Sequence, residues 1–183
     1  MATLSFNQKK TLAAYERFYG NRYSTHSGEE NNTRMHVETQ KMCYLLKVAG
    51  VEIGDFDYSW NFKGPFSPGL LALLRSIDRK DTEVFDFYER SSGKEQLLAG
   101  QSAKIDELRE KLEIDTHQGS HEQWVEILGS LAYISRAMLP GATFEIVNQR
   151  LIQEKAVYCD ENTNRHAWDL LEKADLLSVI STH

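Results

Sequence analysis

The sequence predicts a mainly α protein with a small β element, an α+β fold built as a helical bundle with winged-helix-like units. Apolar residues recur at helical spacing over most of the 183 residues. One short segment, residues 55–62, instead alternates aromatic and polar side chains, as a half-buried strand does. Residues that favour helix starts and helix ends, such as Ser, Thr and Gly, flank the helical segments.

The aromatic segment and the residues after it predict a strand, a sharp bend and a capped helix. Its rings are Phe56, Tyr58, Trp60 and Phe62, and they alternate with Asp55, Asp57, Ser59 and Asn61. This pattern predicts a strand with all four rings on one buried face. Gly64-Pro65 should end the strand, Ser67 should cap a helix, and Pro68 suits its first position. A leucine-rich helix should follow, with Leu70, Leu73, Leu74 and Ile77 on one side.

The other elements follow from apolar spacing and capping residues. We expect helices over 5–19 (ended by Gly20), 34–49 (capped by Thr33 and ended by Gly50), 101–113, 120–138 (a Ser120–Gln123 capping box, ended by Pro140), 144–155 (after Thr143) and 161–174. Residues 21–32 should form a loop and 179–180 a short closing strand, whereas 82–89 fit a helix or a strand equally well.

Length and composition favour a single domain over residues 1–183, with an N-terminal half (1–90) and a helical C-terminal half (100–183). The chain is 41% hydrophobic, which is enough for a sizeable core, and its net charge of −6 argues against a general nucleic-acid coat. We see no apolar run long enough for a membrane span and no secretion signal. Cys43 and Cys159 have no metal-type spacing, so reduced thiols in the cytoplasm are the simplest expectation.

No set of residues predicts catalysis, a metal site or a cofactor. His117 and His121 are four apart, but Ser120 caps the helix between them, so we expect exposed polar histidines. Cys43 lies in an apolar helical run, which disfavours an activated thiolate. Asp55 and Asp57 share one face of the strand without an evident acid, base or metal partner.

The bend after the strand is the candidate binding site. It comprises Trp60, Lys63, Gly64, Pro65, Phe66 and Ser67. Next to an exposed helix N-terminus these residues could receive an anion or a peptide carboxylate. The alternative is that Trp60 and Phe66 are simply core residues.

The C-terminal helices have the outline of a winged helix-turn-helix. Their candidate DNA-reading residues are Asn162, Asn164, Arg165 and Lys173. Acidic residues at 160, 161, 169, 172 and 175 surround them and would repel phosphate. Packing or dimerisation is therefore favoured over direct DNA binding.

Several of these segments together resemble a bacterial family pattern. Gln40-Lys-Met-Cys-Tyr-Leu-Leu46, Gly50, the aromatic strand and Lys63-Gly-Pro-Phe-Ser-Pro68 are similar to the YwgA-like proteins and, more distantly, to the Panacea domain of antitoxins. The resemblance covers roughly residues 34–78. It implies a mostly helical, winged-helix-like protein that binds another protein, often one encoded beside a toxin or a defence enzyme.

Two functions follow as expectations. The first is a non-enzymatic interaction module, antitoxin-like or an accessory subunit of a bacterial phage-defence or toxin–antitoxin system. Its partner would be a toxin, nuclease or ATPase encoded nearby, and a homo-oligomer is compatible with this role. The second is a winged-helix transcriptional regulator that binds DNA through the C-terminal helices.

Overall fold

The computed structural model describes residues 5–20, 23, 28–79 and 98–178, with the side chains of 28–32 excepted. Within these ranges the chain is mainly helical with one small antiparallel sheet, as the sequence predicts. The elements are α1 (Phe6–Tyr19), α2 (Gly28–Val48), β1 (Ser59–Asn61), β2 (Gly64–Phe66), α3 (Pro68–Asp78), α4 (Ser102–Lys111), α5 (His121–Tyr133), a π-helical turn (Ile134–Met138), α6 (Phe144–Glu154) and α7 (Glu161–Lys173).

Helix α1 begins and ends at residues that satisfy its terminal backbone groups. Ser5 and Gln8 form a reciprocal capping box, which fixes the start. Gly20 has a φ of 68°, so the chain leaves the helix through the left-handed region that glycine tolerates best. The predicted bounds of this helix are confirmed.

Helices α2 and α5 pack against each other over the most extensive interface among the described elements. The core that they share also receives side chains from α1, α3, α4, α6 and α7. Its largest fully buried apolar side chains are Trp124, Phe18, Leu12, Met42, Leu45, Leu46, Leu70, Leu74, Ile77 and Ile105. Residues from both halves of the chain thus contribute to one apolar cluster.

The aromatic segment forms a β-hairpin rather than one strand. Only Ser59–Asn61 is extended in β1, and it pairs with Gly64–Phe66, so the predicted strand end at Gly64-Pro65 is in fact a second strand. The chain reverses at Phe62-Lys63, which form the two-residue loop. Phe56, Tyr58 and Trp60 pack against the core as predicted. Phe62 does not, because the reversal points its side chain outward, and it is 76% exposed.

Helix α3 begins as predicted, with Ser67 at its cap and Pro68 at its first position. Leu70, Leu74 and Ile77 are fully buried on its inner face. Helix α5 also begins as predicted, because the Ser120 hydroxyl accepts a hydrogen bond from the Gln123 amide.

The end of α5 differs from the prediction. The last turn before Pro140 is a π-helix, closed by a hydrogen bond from the Leu139 amide to the Ile134 carbonyl. In this wider turn the Ser135 hydroxyl accepts from the Ser178 amide, and Arg136 donates to the Leu177 carbonyl. The turn is therefore attached to the chain that follows α7.

Helix α2 starts earlier in the chain than the sequence predicts. Helix α2 begins at Gly28, so the predicted cap at Thr33 and the predicted loop over 28–32 are wrong. Gly28, Asn31 and Asn32 disfavour a helix by at most about 1 kcal/mol each, which a long packed helix overcomes. The rest of the predicted loop, the undecided segment 82–89 and the closing strand at 179–180 lie outside the described residues. Among the helices of the described ranges, none has the length and apolar character needed to cross a bilayer.

Candidate functional site

The hairpin β1–β2 is attached to α2 by two consecutive buried side chains. The Gln40 amide spans the backbone of Ser67, donating to its carbonyl at 2.9 Å and accepting from its amide at 2.8 Å. Lys41 donates from Nζ to the Pro65 carbonyl at 2.8 Å. These three bonds hold the bend between the hairpin and α3, and they need both side chains at their full length.

Gly64 allows the hairpin to lie directly on α5. Its φ is 91°, and a Cβ at this position would be 2.6 Å from the Ser130 hydroxyl. The same Cβ would be 3.4 Å from Lys155 Nζ and from Lys41 Cε. Two lysines and a serine therefore converge beneath Gly64, in space that any side chain at this position would need.

We call this group the lysine cluster; it consists of Lys41, Lys155, Glu126 and Ser130. Lys41 is 1% exposed, and its aliphatic stem crosses Gly129. Lys155 is also buried and pairs with Glu126 at 2.5 Å. The Ser130 hydroxyl is buried and has no hydrogen-bond partner among the described residues. The cluster thus holds two cationic groups and one carboxylate.

Burial and mutual repulsion change the acid–base properties of the cluster. Burial, and after it the Lys155 charge, which outweighs the opposite effect of Glu126, together lower the pKa of Lys41 to about 7. Burial also lowers the pKa of Lys155, although the bond with Glu126 opposes the change. Burial and the Glu126 charge raise the pKa of Tyr158. Near neutral pH, Lys41 is therefore poised between its charged and neutral forms.

The predicted site residues divide into buried and accessible ones. Gly64, Pro65 and Ser67 are buried, and the Ser67 hydroxyl is occupied by the Leu70 amide. Trp60 is half-buried, donating from Nε1 to Glu154 at 3.0 Å. Phe66 is likewise half-buried. Lys63 is the charged residue of the predicted site, and its ammonium group forms no ion pair with a carboxylate of the described residues.

The accessible part of the site is the hairpin tip, which we define as Phe62 and Lys63. Lys63 Nζ lies 5.9 Å from the centre of the Phe62 ring. Val157, 73% exposed, follows Lys155, whose ammonium group is 5.6 Å from the centre of the Trp60 ring. Apolar and cationic surface therefore lies next to the lysine cluster.

Sequence reasoning missed Phe62, Lys41, Glu126, Ser130 and Lys155. A signal existed for Lys41, because it lies four residues before Leu45 and so on the buried face of α2. No comparable signal exists for Glu126 and Lys155, whose pairing depends on the tertiary fold.

The residues that the sequence analysis considered for catalysis or metal binding are either packed within the fold or exposed. Cys43 is buried, and burial raises the pKa of its thiol. His117 is half-buried rather than exposed, since its ring stacks on Trp124 with 4.0 Å between centres. His121 is also half-buried and contacts the Ile114 carbonyl at 2.9 Å. Asp55 and Asp57 are exposed. No group of three potential metal ligands is present in the described part of the chain.

The candidate DNA-reading residues of α7 are mostly engaged within the protein. Asn164 is buried and donates to the Asn148 side chain and to the Tyr158 carbonyl. Arg165 pairs with Glu145 and lies 3.6 Å from the centre of the Phe144 ring. Asn162 and Lys173 are exposed.

Comparison of the chain with models of protein families, with curated proteins and with solved structures finds no match.

Proposed function

We propose that this chain is a non-enzymatic interaction module that binds another protein through its hairpin tip. The observation that carries the proposal is the exposure of Phe62, 76%, on a hairpin whose base is fixed by Gln40 and Lys41. Exposed aromatic side chains on rigid supports often carry much of the energy of a protein interface. A fixed hairpin also loses little conformational entropy on binding, which favours affinity.

The finer proposal is an antitoxin-like protein or an accessory subunit of a bacterial defence or toxin–antitoxin system, acting in the cytoplasm. Support comes from the sequence resemblance over residues 34–78. Its two most distinctive parts, Gln40-Lys41 and the Gly64–Ser67 bend, are in direct contact. A physical dependence of one part on the other gives a reason for their joint occurrence. The partner would then be a toxin, nuclease or ATPase encoded nearby.

The proposal is tested by co-purification from the native host with the neighbouring gene products. Phe62→Ser removes the exposed ring, whereas Phe6→Ser removes a comparable ring, 62% exposed at the start of α1, and serves as the matched control. We expect the wild type and Phe6→Ser to retain the same neighbouring protein and Phe62→Ser to lose it. Both variants should keep the wild-type helical content and melting temperature.

Two results would contradict the proposal. One is a partner retained equally by wild type and Phe62→Ser, which would place the contact elsewhere. The other is a protein that binds no neighbouring product but shifts operator DNA in a salt-dependent way, which would favour the regulator hypothesis.

A further inference from the structure

Two lysines, Lys41 and Lys155, and one carboxylate, Glu126, lie beneath Gly64 of the hairpin. The Lys155 and Lys63 charges lower the pKa of Lys41, the Lys63 charge lowers the pKa of Lys155, and Glu126 is the α5 carboxylate that opposes both shifts. The Arg150–Glu154 pair at the end of α6 is electrically neutral, with 2.6 Å between its charged atoms. A buried charge without a full complement of opposite charge is costly, and a bound anion would reduce that cost.

The buried space beneath Gly64 also contains the Ser130 hydroxyl. Ser130 is fully buried, and its hydroxyl is directed toward Gly64 and the lysines without accepting or donating a hydrogen bond among the described residues. Protein interiors seldom leave such a group unpaired. The space below Gly64 is too tight for a ligand, because a single methyl group there would already contact Ser130 at 2.6 Å. A ligand must therefore bind at the surface of the hairpin.

Lys63, which is half-buried at the hairpin tip, is closer to the surface than the buried Lys41 and Lys155. Its charge is not paired with a described carboxylate, and it adjoins the exposed Phe62 ring. Lys41 and Lys155 lie beneath Gly64, the next residue in the chain after Lys63, and the Lys63 charge lowers the pKa of both. An anion at Lys63 thus experiences more than one positive charge.

We propose that the hairpin tip is a carboxylate-binding site, in which Lys63 receives an Asp or Glu side chain of the partner protein and Phe62 packs against an apolar residue beside it. This inference rests on the proposed function and specifies the chemistry of the partner. The carboxylate of the partner protein makes no direct contact with Lys41 or Lys155. Their ammonium groups attract it through the electric field that they produce at the surface.

The cluster makes binding depend on pH. A carboxylate at Lys63 favours the protonated form of Lys41, so binding and protonation strengthen each other. The pKa of Lys41 is about 7 in the free protein. Affinity should therefore increase as the pH falls through 7, while the ligand carboxylate, with a pKa near 4, stays ionised. A rise of half a unit in the pKa of Lys41 corresponds to about 2.5-fold tighter binding at pH 6 than at pH 8.

The test uses the peptide acetyl-Leu-Asp-Glu-Leu-amide and its neutral counterpart acetyl-Leu-Asn-Gln-Leu-amide, titrated into the labelled full chain by NMR. We expect the acidic peptide to shift the signals of residues 59–66 and to bind at least fivefold more tightly than the neutral one. Lys63→Met should remove this preference. Lys173→Met is the matched control, because Lys173 is an exposed lysine at the end of α7, and it should keep the preference.

A second NMR experiment measures the pKa of Lys41 from its side-chain signal, with and without the acidic peptide. In the wild type the acidic peptide should raise the pKa of Lys41, and Lys41→Met should bind with no dependence on pH between 6 and 8. If Lys41→Met does not fold, the wild-type titration alone decides this arm.

The inference is overturned if the acidic and neutral peptides bind alike, if Lys63→Met binds as the wild type does, or if the peptide leaves the pKa of Lys41 unchanged. Loss of the partner in Phe62→Ser, combined with no preference for the acidic peptide, would refute the carboxylate site and leave the proposed function standing. A partner retained by Phe62→Ser would refute the proposed function itself.

Discussion

A lysine usually keeps its ammonium group in water, whereas Lys41 places it against the carbonyl of Pro65 in the interior of the protein. The bond to this carbonyl compensates part of the lost hydration, and the nearby Lys155 charge adds a further cost. The side chain thus fixes the hairpin at the expense of some stability whenever it is charged.

The first prediction concerns the pH dependence of folding. Lys41 has a pKa of about 7 in the folded protein, below the usual value of 10.5, so the unfolded chain binds more protons between these two values. Stability should therefore rise with pH from 7 upward, by about 1 kcal/mol between pH 7 and pH 8. Lys155 contributes in the same direction, because its pKa is also lowered.

Urea unfolding at pH 7 and pH 8, followed by tryptophan fluorescence, measures this gain. In Lys41→Met the gain should be much smaller, since the main titrating group is gone. A wild type and a Lys41→Met variant with equal pH dependence would show that Lys41 is not a charged group desolvated by the fold.

The second prediction compares two buried serines. Ser130→Ala removes a hydroxyl that lacks a partner, so the free energy of unfolding should stay constant or increase by up to about 1 kcal/mol. Ser67→Ala removes the cap of α3 and should cost about 1 kcal/mol. Chemical denaturation of both variants tests the pair, and a Ser130→Ala variant less stable than Ser67→Ala would contradict the assignment.

At the scale of elements, the hairpin is the part that the sequence predicts least completely. Alternation predicts correctly that Phe56, Tyr58 and Trp60 face the core, because a period of two is a local property of extended chain. It fails at Phe62, because the reversal of the chain at 62–63 depends on the pairing of β1 with β2. The bounds of α1 and α7 and the start of α5 were predictable, because capping residues and apolar spacing act locally.

The third prediction concerns the attachment of the bend to α2. Gln40→Ala leaves the buried Ser67 amide without a partner, whereas the Ser67 carbonyl keeps its bond from the Leu71 amide, so the variant should lose about 1–3 kcal/mol of stability. Gln153→Ala is the control, because Gln153 is exposed on α6, and its stability should change by less than about 0.5 kcal/mol. Similar losses in both variants would contradict a fixed bend.

The fourth prediction uses the contact between Gly64 and Ser130. Gly64→Ala should destabilise the protein, because its φ is 91° and its new methyl group would lie 2.6 Å from the Ser130 hydroxyl. In the Ser130→Ala background the same substitution should cost less, since the obstructing oxygen is absent. The residual cost reflects the backbone conformation together with the contacts to Lys155 and Lys41, each 3.4 Å from the new methyl group.

A double-mutant cycle measures the difference between the two costs. We expect a coupling of about 0.5–3 kcal/mol, the range found for residues in contact. Strict additivity would mean that the hairpin does not rest on α5 at this point.

At the scale of the whole molecule, α2 connects the core to the candidate site. Its apolar face packs against α5, while Gln40 and Lys41 on the same helix hold the bend. The sequence predicted the fold class and the position of the bend. It could not predict the lysine cluster, because Lys41, Glu126 and Lys155 come together only when three separate segments pack.

This arrangement separates the roles of the two hairpin faces. The inner face, with Trp60 and Pro65, is committed to the fold through Glu154 and Lys41. At the outer tip, Phe62 is 76% exposed and Lys63 is half-buried. Substitutions at the tip should therefore change binding with little effect on stability.

Hydrogen–deuterium exchange of the full chain, with and without its co-purified partner, tests the central claim most directly. The account predicts that the partner slows exchange at residues 59–66 and 155–158 more than anywhere else in the chain. Slower exchange confined to α7 or to the α1–α4 side, with the hairpin unchanged, would contradict it.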